Sequence, residues 1–97
     1  MKAFAAASLA AYAAASTADH WAVLIAGSKD YWNYRHQADV ANAYQILMKN
    51  GIRNDHVIYM AYDDIATNKE NPIQGMLFNS PTGDNVYNSL QINYRGN

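Results

Sequence analysis

Two short apolar runs, separated by an amphipathic segment, dominate the hydrophobic pattern of this chain. The first run, residues 21–26, is continuous and ends at Gly27, which is typical of a strand buried in a parallel sheet. The second run, residues 56–62, is rich in β-forming side chains and predicts another strand. Between them, apolar residues recur at spacings of three and four, which predicts a helix over residues 35–50.

The predicted helix has a defined apolar stripe and a defined end. Its apolar stripe consists of Val40, Ala43, Tyr44 and Leu47. Lys49 falls in the last turn, and Asn50-Gly51 supplies the left-handed residue at which helices commonly stop. We therefore expect this helix to pack on a sheet through one face and to end at residue 50.

Strand, helix and strand joined by short connections predict a βαβ unit, an α/β arrangement with parallel strands and a right-handed crossover. Such a unit leaves two unpaired sheet edges and covers only one face of the sheet with a helix. We therefore expect the unit to be part of a larger sandwich.

The rest of the chain has no clear period. Turn-forming residues recur from residue 63 to residue 84, which predicts a long loop, with Met76, Leu77 and Phe78 packing it against the body. Residues 85–97 alternate only weakly between apolar and polar positions.

Residues 1–18 have the composition of a secretory signal. Lys2 gives a positive start, residues 3–15 form an alanine-rich apolar run, and residues 16–18 match a small-residue cleavage site. The run is too short to span a bilayer core of about 30 Å, so we expect no membrane anchor after signal removal. We expect a secretory-pathway protein whose domain occupies residues 19–97. A surface helix is the alternative, because alanine is the best helix former.

Composition narrows the classes of function. The chain has no cysteine, which excludes disulfides and thiolate metal sites, and a domain this small without such links is typical of a piece of a larger one. Seven basic and eight acidic residues give a net charge of −1 without a basic face. Nucleic acid and anionic membranes are therefore not expected partners.

Ligands of open α/β sheets bind beyond the carboxyl ends of the strands, which directs attention to residues 28–36 and to Asp63-Asp64. The first segment combines three aromatic side chains with an amide, a guanidinium and an imidazole, enough for a pocket with a polar floor. Glycine-rich phosphate-binding motifs are absent, and two adjacent acids are too few to hold a cation. We expect no cofactor and no metal, and interpret Asp63-Asp64 as a strand-end turn or cap.

Several strings carry a family resemblance. They are HWAVLIAGS, YWNYRHQADVANAYQI, NGI, and MAYDDIA followed by ENP. Together they resemble the start of the legumain family, the asparaginyl endopeptidases of peptidase family C13 in the caspase-like clan. The catalytic subunit of the glycosylphosphatidylinositol transamidase shares NYRH, but HQAD and AYQI are more similar to legumain.

The resemblance implies a fold, an activity and a location. The fold would be part of a caspase-like three-layer α/β sandwich. Complete members are cysteine endopeptidases that cleave peptide or protein substrates after asparagine, in lysosomes, vacuoles or outside the cell.

The resemblance also implies residue roles. Asn33 matches an asparagine that orients the catalytic histidine, Arg35 an arginine that lines the pocket for the substrate asparagine, and His36 a neighbour of that pocket. Without the resemblance, Asn33 would be interpreted as a turn or helix-start residue, and Arg35 as a surface ion-pair partner of Asp39.

The family's catalytic cysteine and His-Gly motif occur nowhere in these 97 residues. We therefore expect an incomplete copy of the peptidase, inactive by itself. A transamidase fragment and a non-catalytic binding module or pseudoenzyme are the alternatives.

Overall fold

A computed structural model describes residues 20–96, so the predicted signal lies outside the described residues. The regular elements are β1 (Ala22–Ala26), α1 (Tyr34–Lys49), β2 (Val57–Ala61) and β3 (Tyr94–Arg95), with short 3₁₀ turns at Tyr31–Asn33 and Asn54–His56. Each of the three predicted elements lies within two residues of its expected bounds. Within residues 20–96, no helix has the length and apolar character needed to cross a membrane.

The sheet confirms the predicted parallel βαβ unit and adds a strand to it. β1 and β2 pair in parallel from Ala22 opposite Val57 to Ala26 opposite Ala61. β3 pairs in parallel with the other side of β2, giving the order β1-β2-β3. The expectation of two unpaired edges is therefore wrong for β2. The Asn93 side chain helps bring β3 there, since its Oδ1 accepts from the Tyr59 N–H at 2.7 Å.

Gly51 ends α1 as predicted. It has φ 84°, its N–H donates to the Met48 carbonyl at 3.2 Å, and the Ile52 N–H donates to the Leu47 carbonyl at 3.1 Å. This pair of hydrogen bonds is the Schellman arrangement, which satisfies carbonyls that the helix end would otherwise leave without partners. The left-handed backbone it requires suits glycine.

The buried face of α1 differs from the predicted stripe. Its buried residues are Gln37, Ala38, Ala41 and Tyr44. Only Tyr44 was predicted, and the other predicted positions are half-buried. The reason is that α1 is covered on two sides. Tyr44 packs on the sheet with Tyr59, whereas Ala38 and Ala41 pack against residues that follow β2. Small side chains allow that close approach, so alanine rather than valine or leucine lies deepest.

One face of the sheet is bare. Val23 and Ile25 of β1 are 58% and 59% exposed, and Ile58, Met60 and Tyr94 continue the same face across the register. β1 is therefore buried on its helix side only. Among residues 20–96, α1 is the only helix that covers the sheet, which agrees with the expectation of a partial sandwich.

The long loop has a polar centre. Asn71 is buried, and its Nδ2 donates to the carbonyls of Ala66 and Met76 at 2.9 and 3.0 Å. Leu77 is buried as predicted, but Met76 is exposed, so the prediction that it packs against the body is wrong. Met76 is joined to Asn71 through its backbone carbonyl, which accepts the hydrogen bond.

Candidate functional site

The carboxyl ends of β1 and β2 lie side by side, because Ala26 and Ala61 are register partners in a parallel pair. The segments that follow them, residues 27–36 and 62–64, therefore emerge at the same edge of the sheet. This is the edge at which open α/β sheets bind ligands.

Gln37, in the first turns of α1, connects these two segments. Its Nε2 donates to the Ser28 carbonyl at 3.2 Å and to Asp64 Oδ1 at 2.7 Å. Its Oε1 accepts from the Asp63 N–H at 3.1 Å. Gln37 is only 4% exposed, so its amide is shielded from water, although its three partners are half-buried. Nothing in the sequence marks Gln37 as functional apart from its place in the HQAD string.

Asp64 completes this connection from the β2 side. Its second carboxylate oxygen, Oδ2, accepts from the Asp30 N–H at 2.7 Å. Asp30 has φ 73°, a left-handed conformation that a non-glycine residue adopts at some cost. Asp64 thus caps a backbone N–H, which agrees with the prediction of a strand-end turn or cap.

Asn33 is the last residue of the 3₁₀ turn and directly precedes α1. Its Nδ2 donates to the Lys29 carbonyl at 3.1 Å, and its side chain makes no capping hydrogen bond to the helix. Asn33 therefore lies at the helix start, as the alternative interpretation expected, but its side chain does not cap the helix. Among residues 20–96, Asn33 Oδ1 has no hydrogen-bond donor and remains available as an acceptor.

Arg35 is exposed in the first turn of α1, where its Nη1 donates to the Trp32 carbonyl at 3.4 Å. The alternative ion pair with Asp39 does not form; Asp39 Oδ1 accepts from Asn79 Nδ2 at 2.6 Å. Within the described part of the chain, the guanidinium has no carboxylate partner. It is therefore free to bind an acceptor from a ligand.

His36 is half-buried beside Gln37. Its Nδ1 lies 2.7 Å from Ser28 Oγ, which fixes the orientation of the ring. Because Gln37 holds the Ser28 carbonyl, the same short segment supports both neighbouring side chains.

The aromatic pocket expected from residues 30–36 does not form. Tyr31 and Tyr34 meet edge to face at 5.5 Å and pack against the buried apolar residues around Ala38 and Ala41, whereas Trp32 is 87% exposed. The Tyr34 hydroxyl accepts from the Phe78 N–H at 2.7 Å, so it supports the long loop. Sequence composition showed three aromatic residues close together, but helical geometry points them in different directions.

A cleft of about 240 Å³ lies instead at the carboxyl ends of the three strands. Its walls include Ile25, Gly27, Met60, Tyr62, Tyr94 and Arg95. Ile25 and Met60 belong to the bare sheet face, so the cleft opens on the side of the sheet opposite α1.

Asp63 forms a second polar cluster near this cleft. Its carboxylate accepts from the Tyr87 hydroxyl and from Arg95 Nε, each at 2.7 Å. Burial, followed by the hydrogen bond to Asp63, raises the pKa of Tyr87 to about 12. The hydrogen bond to Asp63 likewise raises the pKa of Arg95. No local pattern predicted this cluster, since Tyr87 and Arg95 both lie more than twenty residues beyond Asp63 in the sequence.

The sequence of these residues was compared with those of known proteins. The sequence model of the peptidase C13 family matches residues 20–97. The chain is 51% identical over 81 residues to a vacuolar-processing enzyme of Citrus sinensis, covering 84% of this chain and 16% of that protein.

Two further relatives agree. Legumain of Rattus norvegicus is 51% identical over 77 residues, which are 79% of this chain and 18% of that protein. The vacuolar-processing enzyme delta-isozyme of Arabidopsis thaliana is 51% identical over 74 residues, which are 76% of this chain and 16% of that protein. The chain thus spans less than a fifth of the length of these relatives. The predicted resemblance is confirmed, and the chain belongs to the peptidase C13 family.

Proposed function

We propose that this chain supplies part of the active site of a legumain-like cysteine endopeptidase that cleaves peptide or protein substrates after asparagine. The observation that carries this proposal is the attachment of residues 28–37 to the end of β2 through Gln37 and Asp64. That attachment keeps Asn33, Arg35 and His36 at the sheet edge where a substrate would bind. Relatives named legumain and vacuolar-processing enzyme support the same class of reaction.

Asn33 would orient a catalytic histidine. Its Oδ1 lacks a donor within residues 20–96, and a carbonyl oxygen of this kind can accept a hydrogen bond from an imidazole N–H. Such a contact fixes the tautomer and direction of the ring, so that its other nitrogen can take the proton of a thiol.

Arg35 and His36 would contact the substrate. A guanidinium presents planar donors that suit the side-chain carbonyl of asparagine, and Arg35 is exposed without a carboxylate partner among the described residues. The Ser28 contact orients His36 beside it.

The nucleophile and its base would come from polypeptide outside these 97 residues, because the sequence has neither cysteine nor a His-Gly motif. There the thiolate would attack the main-chain carbonyl carbon of the asparagine, and backbone N–H groups would stabilise the oxyanion. The bond to the next residue would break, its amine would leave with a proton from the histidine, and water would then hydrolyse the thioester. This chain alone is expected to have no peptidase activity. We propose a vacuole or lysosome, reached through the secretory pathway, as its location, and the name vacuolar-processing enzyme supports the vacuole.

A chimera tests the proposal directly. The 77 residues that match legumain of Rattus norvegicus would be exchanged for those of this chain. We expect the chimera to cleave a peptide after asparagine and to spare a peptide with glutamine at the same place. Asn33→Ala should lower kcat by roughly tenfold or more, since misorientation forfeits part of general-base catalysis. Arg35→Ala should mainly raise KM.

Two matched controls lie at the opposite end of β2. Asn54 begins the second 3₁₀ turn, and Arg53 precedes it in an exposed ion pair with Asp55. Asn54→Ala and Arg53→Ala should leave cleavage unchanged. A folded chimera that cleaves neither peptide, or site variants that behave like these controls, would refute the proposal.

A further inference from the structure

Gln37 differs from every other polar residue of α1 in its burial. The other buried polar residue within residues 20–96, Asn71, lies in the long loop. A glutamine buried on a helix costs free energy unless its amide is fully hydrogen-bonded, and Gln37 meets this condition with two donated bonds and one accepted bond. A buried amide whose hydrogen bonds all go to other segments indicates a specific requirement for glutamine at this position.

The partners of Gln37 show what that requirement is. Ser28 follows β1, whereas Asp63 and Asp64 follow β2, so one side chain fixes both segments relative to α1. Asp64 then reaches back to the Asp30 N–H and closes the network. The candidate residues Asn33 and His36 lie between Asp30 and Gln37 along the chain. Their segment is therefore held at both of its ends.

We propose that Gln37 is a positioning residue of the peptidase site, with Asp64 as its partner. This inference rests on the proposed function and adds a residue to it. Gln37 does not contact substrate, because its amide is already hydrogen-bonded to Ser28, Asp63 and Asp64. It sets where Asn33, Arg35 and His36 lie relative to the ends of the strands.

Few side chains could replace glutamine here. Leucine would fill the volume but would leave the Asp63 N–H and the Ser28 carbonyl without their partner. Glutamate has the same shape, yet its carboxylate would face Asp64 at the present 2.7 Å contact. Two carboxylates so close cannot both be ionised without repulsion, and one shared proton relieves it. Gln37→Glu is therefore a variant whose defect depends on pH.

The ionisable groups around position 37 show which carboxylate a glutamate there would face. Asp63 and Asp64 face it from the segment after β2, Asp30 lies beyond Asp64, and His36 precedes it on α1. Asp63 is itself bound to Tyr87 and Arg95, so Asp64 is the carboxylate that a glutamate at position 37 would meet.

Gln45 provides a matched control on the same helix. Its Nε2 also donates to two acceptors, the carbonyls of Val86 and Asn88, at 2.9 and 2.8 Å. Gln45→Glu makes the same chemical change two turns further along α1, away from the candidate site. A general loss of helix anchoring would affect both variants, whereas loss of positioning would affect only Gln37→Glu.

The first measurement uses the 97-residue chain and amide hydrogen exchange by NMR. At pH 7, Gln37→Glu should reduce the protection of the Asp30 and Asp63 amides by about tenfold, the equivalent of one lost hydrogen bond. Below about pH 5, where one carboxyl of the pair is protonated, most of that protection should return. Gln45→Glu should leave both amides protected. Unchanged protection in Gln37→Glu, or equal loss in the control, would overturn the proposal.

The second measurement uses the chimera. Relative to the unsubstituted chimera at each pH, Gln37→Glu should lose about tenfold in kcat/KM at pH 7 and regain most of it below about pH 5, with Tm followed in parallel. A folded but inactive parent chimera would refute the proposed function. The hydrogen-exchange measurement would then still test whether Gln37 holds the two segments together. An active chimera in which Gln37→Glu matches Gln45→Glu would refute the positioning role alone.

Discussion

The Tyr87 hydroxyl donates to Asp63 Oδ1 over 2.7 Å, which joins the segment after the long loop to the residue that follows β2. Arg95 of β3 binds the other oxygen of the same carboxylate. Two residues distant from Asp63 in sequence therefore meet at its carboxylate, directly beside Asp64, which Gln37 and Asp30 contact. That carboxylate therefore adds to the Gln37 and Asp64 hydrogen bonds that hold this edge of the sheet.

The raised pKa of Tyr87 predicts a loss of stability in alkali. An unfolded tyrosine ionises near pH 10, whereas burial and Asp63 raise the pKa of Tyr87 in the folded chain to about 12. The unfolded state therefore releases its proton first as the pH rises. The contribution of Tyr87 is complete below about pH 10 and is lost as the pH rises through about 12. The free energy of unfolding, measured in denaturant between those values, should fall.

Phenylalanine variants separate Tyr87 from the other tyrosines. Tyr87→Phe should reduce the alkaline slope without abolishing it, because burial also raises the pKa of Tyr44 and Tyr59. Tyr94→Phe is the control, since Tyr94 is 63% exposed on the bare sheet face. Equal slopes in Tyr87→Phe and Tyr94→Phe would contradict the prediction.

Asp63→Ala should destabilise the fold by about 1–3 kcal/mol, because it leaves the Tyr87 hydroxyl and Arg95 without their acceptor and places alanine at a φ of 58°. Asp63→Asn should cost less, since asparagine tolerates left-handed backbone and keeps one acceptor oxygen. Chemical denaturation at pH 7 measures both changes.

Asp55→Ala is the matched control for this experiment. Asp55 pairs with Arg53 as Asp63 pairs with Arg95, but its side chain is 57% exposed against 12% for Asp63. Surface pairs of this kind contribute about 0–1 kcal/mol. A cost for Asp55→Ala as large as that for Asp63→Ala would show that burial and backbone conformation are not the cause.

Gly51→Ala should destabilise the chain by about 1 kcal/mol. The free volume around Gly51 admits a methyl group, so the cost comes from φ 84°, which an L-residue adopts at roughly 1–2 kcal/mol, offset in part by a stiffer unfolded chain. Gly27→Ala is the control, because its surroundings are equally open and its φ is not positive. Thermal unfolding should therefore show a lower Tm for Gly51→Ala and no loss for Gly27→Ala.

The elements of the βαβ unit were predictable because their signals are local. Continuous apolar runs flanked by turn residues mark β1 and β2, and Gly51 marks the end of α1 whatever packs around it. The strings around NYRH identified the family, since a long ungapped match does not depend on tertiary contacts. These features need no knowledge of how the segments meet in space.

The features that were missed depend on distant partners. Gln37 looks like a surface residue in sequence, and only the segments after β1 and β2 make its burial favourable. Ala38 and Ala41 were omitted from the core because the loop that covers one side of α1 has no period of its own. β3 was missed because Asn93, a polar residue, docks it beside β2 through its side chain.

Asn71 offers the sharpest test of how the long loop is held. Its Nδ2 donates to the carbonyls of Ala66 and Met76, and its Oδ1 accepts from the Ile73 N–H at 3.1 Å. Asn71→Asp keeps the shape of the side chain but turns a carboxylate oxygen toward those carbonyls. Because the site is buried, we expect a loss of about 2–4 kcal/mol in the free energy of unfolding.

Asn71→Asp should also make the long loop more accessible to proteases. The carbonyls that accept from Asn71 in the unsubstituted chain would lose that donor and become exposed to water. Asn68→Asp is the control: Asn68 is only half-buried, and its Nδ2 donates to one carbonyl, that of Asp64, at 3.2 Å. Limited proteolysis with mass spectrometry should find faster cleavage within residues 65–84 for Asn71→Asp than for Asn68→Asp. Equal cleavage rates would mean that Leu77 and its apolar neighbours, rather than a buried amide, keep the loop on the body.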